Sequence, residues 1–254
     1  MEIENAGIRR TITAIVVFLI ILGALYLYIF EPFAKEGRSL PVGAADFRHQ
    51  SVYQINPETI LESLDQGVSN VFRSQASDTQ AQASGNPVLW SQSDYLKVAG
   101  VLNQLVWEKP LKEWNLYSMD FVAPCQDQPE GFSLGSFYYF KTTFHRNGRI
   151  RYTTQELSIS SGSGEASWSA GANFPHPLFG WKKIRANRLA VTAQSALRTA
   201  EENGGREARA LVENKCKIHV GLTAGANWQV FIYQDVTGAP LFRLEIDPST
   251  GSVE

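Results

Sequence analysis

The first hydrophobic feature of the chain is an uncharged run of twenty residues, 11–30, with the sequence TITAIVVFLIILGALYLYIF. As a helix this run would extend about 30 Å, which matches the hydrocarbon core of a bilayer. It is longer than the apolar part of a typical secretory signal, and no small-residue cleavage site follows it. The pattern therefore predicts a retained transmembrane helix that acts as a signal anchor, with a cleaved signal peptide as the alternative.

The charges on either side of this run indicate its orientation only weakly. Arg9 and Arg10 precede it, and Lys35 and Arg38 follow it. Only ten residues lie before the run, whereas more than two hundred follow, as in an anchor that exports its C-terminal body. We therefore expect a single-pass protein of the cell membrane, with residues 1–10 in the cytoplasm, the body extracytoplasmic and the lipid bilayer as its first partner.

The next segment, residues 31–92, is predicted to be a stalk that contains one helix. Asn56 can cap this helix and Pro57 suits its first position, and an apolar stripe at helical spacing continues to Phe72. This pattern predicts a helix over 57–72. Residues 73–87 are short and polar and are expected to form a flexible loop.

The hydrophobic pattern from residue 93 onward indicates a globular region. A helical pattern that ends before Pro110 is followed by alternating segments at 114–122, 137–144 and 149–159, and the last two flank an Asn-Gly turn signal. We assign residues 93–165 to a first unit of one helix and three strands. Residues 166–186 are rich in Ser, Gly and Ala and are predicted to be a connector.

The same order of elements returns in the last part of the chain, residues 187–254. A helix is predicted over 188–203, and three alternating segments follow it. The two units are interpreted as a tandem repeat of about eighty residues, with coincidence as the alternative because this order is common. The predicted fold class is α+β, in which a transmembrane helix precedes two units that each combine a helix with a three-stranded antiparallel sheet.

Three stretches of the second unit carry a resemblance to a known family. They are the Ala-rich helix 189–203, the phrase NWQVFIY at 227–233 and the closing LEIDPSTGSV at 244–253. This combination resembles the PepSY domain, a small cystatin-like α+β module of bacterial exported and membrane-anchored proteins. The resemblance implies a binding or regulatory module without catalytic residues. In the closing stretch, Asp247 is expected to accept backbone N–H groups and Gly251 to supply a positive φ.

Neither composition nor motifs indicate catalysis. The chain has 23 basic and 25 acidic residues, a net charge of −2, and no basic excess that would favour nucleic acid. His49, His145, His176 and His219 are scattered without the spacing of metal ligands. Nucleotide-binding, hydrolase and metalloprotease motifs are missing as well. We predict no enzymatic activity, cofactor or metal, and an enzyme whose site is assembled by tertiary structure is the alternative.

Two small sets of residues are candidates for contacts. Cys125 and Cys216, one in each predicted unit, are either a disulfide or buried free thiols. The aromatic run at 137–140 places rings on both faces of one strand. If one face is open, a partner surface is formed by Phe137, Tyr139, Arg149 and Arg151. The alternative is that both faces are covered.

Together these features favour a membrane-anchored, non-catalytic binding protein that modulates a protein partner at the membrane surface, such as a protease or a cell-envelope enzyme. Anchoring raises the local concentration of such a binder, so a weak interface suffices. The alternative function is an accessory single-pass subunit of an integral membrane complex. The identity of the partner, any small ligand and the oligomeric state are not fixed by the sequence.

Overall fold

A computed structural model describes residues 16–23, 50–68, 73–74, 88–107, 114–126, 129–144, 150–175, 182–235 and 237–254. The strands are β1 (Gln50–Gln54), β2 (Arg73–Ser74), β3 (Asn115–Pro124), β4 (Leu134–Phe144), β5 (Ile150–Ser160), β6 (Glu165–Pro175), β7 (Cys216–Thr223), β8 (Trp228–Gln234) and β9 (Pro240–Ile246). The helices are α1 (Ile60–Asp65), α2 (Gln92–Trp107), α3 (Ala193–Ala200) and α4 (Arg206–Ala210), with a short 3₁₀ turn over Ala186–Arg188.

All nine strands belong to one antiparallel sheet, in the order β2-β1-β6-β5-β4-β3-β7-β8-β9. Strands β3 to β6 form one meander and β7 to β9 form another. The two meanders join where β3 pairs with β7, with Phe121 opposite Val220. The prediction of two separate three-stranded units is therefore wrong. A strand edge presents unpaired backbone groups, and here each meander covers the edge of the other.

Several predicted elements have different bounds in the structure. The connector assigned to 166–186 contains most of β6, which pairs with β5. The stalk assigned to 31–92 contributes β1 to the sheet, and its helix, predicted over 57–72, covers only Ile60–Asp65. Small residues thus form a strand when a neighbouring strand pairs with them, and an apolar stripe alone does not fix where a helix ends.

The helix predicted over 188–203 begins later than expected, as α3, and ends at Ala200, and a second helix, α4, follows it. The start of α3 is at Thr192, whose Oγ1 accepts a hydrogen bond from the Ser195 backbone nitrogen at 3.2 Å. Asn187 lies before this start, in the 3₁₀ turn. At Gly204 the backbone takes φ 107, and the chain passes through a wide turn into α4. Glycine adopts this φ without steric cost.

The N-terminal hydrophobic run is represented by residues 16–23, which are helical and exposed. Across the described ranges, no helix combines the length and the apolar character needed to cross a membrane. This finding contradicts the predicted transmembrane helix over 11–30, the signal anchor and the single-pass membrane location. Residues 1–15, 24–49 and 75–87, with the predicted tail and most of the polar loop, lie outside the described residues.

One face of the sheet is buried against α2 and α3. Phe121, Phe137, Val220 and Ile232, from four different strands, are fully buried in a single core that includes residues of both helices. Helix α2 approaches the sheet closely at Gly135, where a Cβ atom would stand 2.7 Å from Cδ1 of Tyr95. Because no side chain fits there, glycine is required at this position. The two halves of the chain therefore share one core.

A disulfide joins Cys125 to Cys216, with the two Cα atoms 5.4 Å apart. The bridge lies where β3 ends and β7 begins, next to the pairing of Pro124 with Lys217. Of the two states that the sequence left open, the structure has the bridge. It therefore links the two meanders covalently at one end of their shared ladder.

A buried ion pair lies beside the disulfide. Arg209 pairs through two nitrogens with the carboxylate of Glu201, and its Nη1 donates to the Gln126 carbonyl and to Oδ1 of Asn214, both at 2.7 Å. The pair thus ties the wide turn after α3 to the chain just beyond β3. Loss of one partner would leave a buried charge without compensation, which is costly.

Replacement of both cysteines by serine should lower the stability of the folded chain. The bridge closes a loop with a sequence separation of 91, for which chain entropy gives about 4–5 kcal/mol. Urea unfolding of the double variant should show a lower midpoint, and wild-type protein treated with a reductant should unfold at the variant's midpoint. An unchanged midpoint would show that the bridge does not constrain the unfolded chain.

The closing turn after β9 is built as the sequence predicts. Oδ1 of Asp247 accepts hydrogen bonds from the backbone nitrogens of Ser249 at 2.7 Å and Thr250 at 2.9 Å, and Gly251 has φ 78. These backbone N–H groups lower the pKa of Asp247, because they favour the charged carboxylate. The role of Asp247 in this structure is to stabilise the turn.

The stability that Asp247 contributes should depend on pH. Because its pKa is lowered in the folded state, this stability is present above the pKa of the unfolded chain and is lost as pH falls through the folded pKa. Asp247→Ala should therefore unfold more easily than wild type at neutral pH, and the difference in Tm should shrink below about pH 4. Asp247→Asn, which keeps an acceptor oxygen, is the control. A difference that stays constant down to strong acid would argue against this role.

Candidate functional site

A cleft with a volume of about 1130 Å³ opens between the first half of α2, the start of β3 and the segment before α3. It is the place where elements of both halves of the chain face a common space. Its lining residues are Gln92, Ser93, Leu96, Lys97, Gly100, Trp114, Asn115, Leu116, Tyr139, Lys183, Ile184, Arg185, Ala186, Asn187, Thr192 and Gln194. We call this space the cleft.

The walls of the cleft follow from local structure. On α2, Leu96 and Gly100 are four residues apart and so lie on one face of the helix. On the other side, the backbone nitrogen of Ile184 donates to the carbonyl of Leu116 at 2.8 Å. This bond holds the segment 183–187 against the start of β3 and fixes the second wall.

The floor of the cleft is apolar and aromatic. Trp114, Leu116 and Tyr139 are all buried. The Nζ atom of Lys141 lies 4.9 Å from the centre of the Trp114 ring, in cation–π contact. A ligand that enters the cleft would therefore meet large apolar side chains at its base.

A chain of buried polar groups lies behind the floor. Nε1 of Trp168 donates to Oε1 of Gln155 at 2.7 Å, and Nε2 of Gln155 donates to Oδ1 of Asn103 at 3.3 Å. Asn103 in turn contacts the hydroxyl of Tyr139. Burial raises the pKa of Tyr139, and the contact with Asn103 opposes this shift only in part. The phenol therefore stays protonated at neutral pH and cannot serve there as a base.

The charged groups of the cleft are all positive. Its lining includes Lys97, Lys183 and Arg185 and no acidic side chain. The ammonium group of Lys97 pairs with the carboxylate of Asp65 on α1, whereas Lys183 and Arg185 have no acidic partner within the described ranges. The N-terminal end of α3, which carries a partial positive charge, also faces the cleft at Thr192 and Gln194. The electrostatics of the cleft favour an anion.

The structure buries the two aromatic residues of the predicted partner surface. Phe137 is 0% exposed and Tyr139 is 5% exposed, because both point to the face of β4 that α2 covers. Arg149 lies outside the described residues. The backbone of Arg151, on β5, pairs with Thr143 on β4 and with Pro175 on β6. A period of two shows that alternate residues share a face, but it does not show which face is covered. Of the two described aromatic residues, Tyr139 lines the cleft and Phe137 does not.

The open face of the sheet carries a second set of ionisable groups, Asp120 on β3 and His219 on β7. Burial raises the pKa of Asp120 and lowers that of His219, and their mutual attraction opposes each shift only in part. The Asp120 carboxylate lies over Gly221. The centres of the His219 and Tyr233 rings are 5.5 Å apart. Within the described part of the chain, no group of three or more His, Cys, Asp or Glu side chains comes together to hold a metal ion.

Sequence reasoning missed the cleft because its residues come from four distant segments. The local signal that points to it is the stretch KKIRANR at 182–188, which has four cations in seven residues and no acid. The predicted connector ended inside this stretch. A comparison of its charge with that of its neighbours would have marked it as a candidate for binding anions.

Comparisons with known proteins do not identify the chain. No protein family matches it, and no curated protein matches it. Among solved structures, HtdX of Mycobacterium tuberculosis aligns with 76% of this chain and 96% of its own, at 10% identity and a TM-score of 0.19. Such a score does not establish a common fold, and nothing is transferred from it. The resemblance to PepSY and the regulatory role it implies stay predictions.

The polar chain behind the cleft should contribute to stability. Gln155→Met would remove the acceptor of the Trp168 Nε1 hydrogen bond and the donor of the Asn103 Oδ1 hydrogen bond, at a cost of about 2–4 kcal/mol for the two buried bonds. The matched control is Gln229→Met, a half-buried glutamine on the open face of β8. Chemical unfolding should show a large loss for the first variant and a small one for the second. Equal losses would show that the Gln155 hydrogen bonds stabilise nothing.

Proposed function

We propose that this protein is a non-catalytic binding protein whose cleft holds an organic anion with an apolar body. The observation that carries the proposal is the combination, in one cleft, of an aromatic floor with three cationic side chains and no acidic one. Ligand sites commonly join a mostly apolar wall to a few polar groups that orient the ligand. The cleft has both parts.

The apolar part supports a ligand with a ring or a hydrocarbon body. Leu96 and Ile184 lie on opposite walls, and Trp114 and Leu116 form part of the floor. Transfer of apolar surface from water contributes about 25 cal/mol per Å². Because Trp114 and Leu116 are already buried, the apolar body of a ligand gains mainly from covering the half-buried Leu96 and Ile184.

The cationic part supports a negative head group. Lys183 and Arg185 lie on the same wall and are exposed to solvent on the cleft side. Hydrogen bonds between such cations and an anionic oxygen are shorter and about twice as strong as those between neutral groups. A cation in the same place would be repelled, so the sign of the ligand charge is defined.

The chemistry of the lining favours binding over turnover. Among the described residues that line the cleft there is no carboxylate, imidazole or thiol. The phenol of Tyr139 is kept protonated by burial. General acid–base catalysis most often uses an imidazole or a carboxylate, and neither belongs to the described lining. Modulation of a protease or a cell-envelope enzyme, which the resemblance to PepSY implies, is a separate prediction that the cleft does not carry.

The proposal can be tested with two fluorescent probes that differ only in charge. One is 8-anilinonaphthalene-1-sulfonate, and the other is N-phenyl-1-naphthylamine, which has the same rings and no sulfonate. We expect the anionic probe to bind about tenfold more tightly, the effect of one charge-assisted hydrogen bond. Leu96→Glu should weaken the anionic probe, because it places a negative charge in the wall of the cleft.

The matched control is Leu211→Glu, since Leu211 is 85% exposed and is not part of the cleft. This variant should bind the anionic probe as wild type does. The Tm of both variants is measured in parallel to show that each is folded. Equal affinity for the two probes, or equal loss in the two variants, would overturn the proposed function.

A further inference from the structure

The stretch 182–188 contains more positive charge than the cleft needs for a single negative charge. Its four cations, Lys182, Lys183, Arg185 and Arg188, are exposed and have no acidic partner within the described ranges. Only Lys183 and Arg185 belong to the lining of the cleft. Lys182 and Arg188 lie outside the lining, so the head group of a ligand in the cleft does not contact them.

We propose, on the basis of the anion-binding function above, that Lys183 and Arg185 make the cleft selective for ligands whose head group is a dianion. The chemical class is a phosphate monoester on an apolar body. A monoanion of the same shape would leave one of the two cations without a partner. The two residues are therefore specificity determinants of the cleft.

The charge balance of the lining carries this step. Three cations line the cleft, and one of them, Lys97, is already paired with Asp65. The uncompensated positive charge on the lining is therefore two. A phosphate monoester carries a charge of about −1.5 to −2 at neutral pH, whereas a sulfonate or a single carboxylate carries less.

The backbone places Lys183 and Arg185 on either side of an anchored residue. Ile184 lies between them, packs against the core and is hydrogen-bonded to the carbonyl of Leu116 at 2.8 Å. Lys183 and Arg185 are both exposed and both line the cleft. The planar fork of arginine donates two parallel hydrogen bonds to a phosphate, and the lysine adds a point charge.

Lys182 is held elsewhere. Its side chain lies against Gly225, where a Cβ atom would stand 2.6 Å from Cδ and 3.0 Å from Nζ of Lys182. Its ammonium group therefore lies at the turn between β7 and β8. Arg188, at the end of the 3₁₀ turn, is likewise absent from the lining. The head group thus meets two free cations, which matches a dianion.

The test compares 1-naphthyl phosphate with 1-naphthalenesulfonate by titration calorimetry at about pH 8, where the phosphate monoester is a dianion. Wild-type protein should bind the phosphate about tenfold more tightly, as expected for one additional charge-assisted contact. Lys183→Gln and Arg185→Gln should each reduce this preference to about twofold. The control is Lys215→Gln, since Lys215 is exposed, pairs with Glu213 and is not in the lining.

The outcomes of this titration distinguish a failure of the dianion selectivity from a failure of anion binding by the cleft. If neither probe binds, both fail. If both bind with equal affinity, the cleft binds anions but the inference is wrong. A preference for the phosphate that survives in Lys183→Gln and Arg185→Gln also overturns it, because other residues then select the head group. Inorganic phosphate should compete only weakly with 1-naphthyl phosphate for the cleft. If it binds as strongly as 1-naphthyl phosphate, the apolar body does not contribute to binding and the proposed ligand class is wrong.

Discussion

Strand β3 hydrogen-bonds to β7 over seven residue pairs, from Ser118 opposite Thr223 to Pro124 opposite Lys217. Without this ladder each meander would expose an edge, and its helix would cover only its own half of the sheet. Two further contacts fix the same junction. The disulfide closes one end of it, and Oε1 of Gln92, at the start of α2, accepts a hydrogen bond from the backbone nitrogen of Ala193, at the start of α3, at 2.7 Å. The two helices are thereby held at a defined distance on one face of one sheet.

The cleft is a consequence of that junction. One of its walls belongs to α2 from the first half of the chain, and the other belongs to the segment that leads into α3 in the second half. Gln92 takes part in both arrangements, because it lines the cleft and also holds the first turn of α3. A binding site between two halves responds to anything that shifts one half against the other. The rigidity of the β3–β7 ladder therefore defines the shape that a ligand meets.

The sequence predicted the local elements better than their assembly. The alternating segments at 114–122, 137–144 and 149–159 correspond to β3, β4 and β5, because a half-buried strand repeats every two residues. The pairing of β3 with β7 joins residues about one hundred positions apart, and no local pattern encodes it. For the same reason the pattern did not show that α2 covers Phe137 and Tyr139, or that Lys183 and Arg185 share a space with Leu96. The hydropathy of 11–30 predicted a spanning helix, whereas no helix among the described residues is long and apolar enough to cross a membrane.

The net charge of −2 on the chain acts on an anion over distance, whereas the cleft acts by contact. In physiological salt, charges farther apart than about 8–10 Å are largely screened, so the acids on the rest of the surface contribute little inside the cleft. The acid that matters is Asp65, which is 72% exposed and holds Lys97 through a solvent-exposed pair. Pairs of this kind contribute at most about 1 kcal/mol. Even a weak pair offsets the charge of Lys97 locally, whereas Lys183 and Arg185 have no acidic partner among the described residues. The wall formed by 183–187 therefore dominates the choice of ligand.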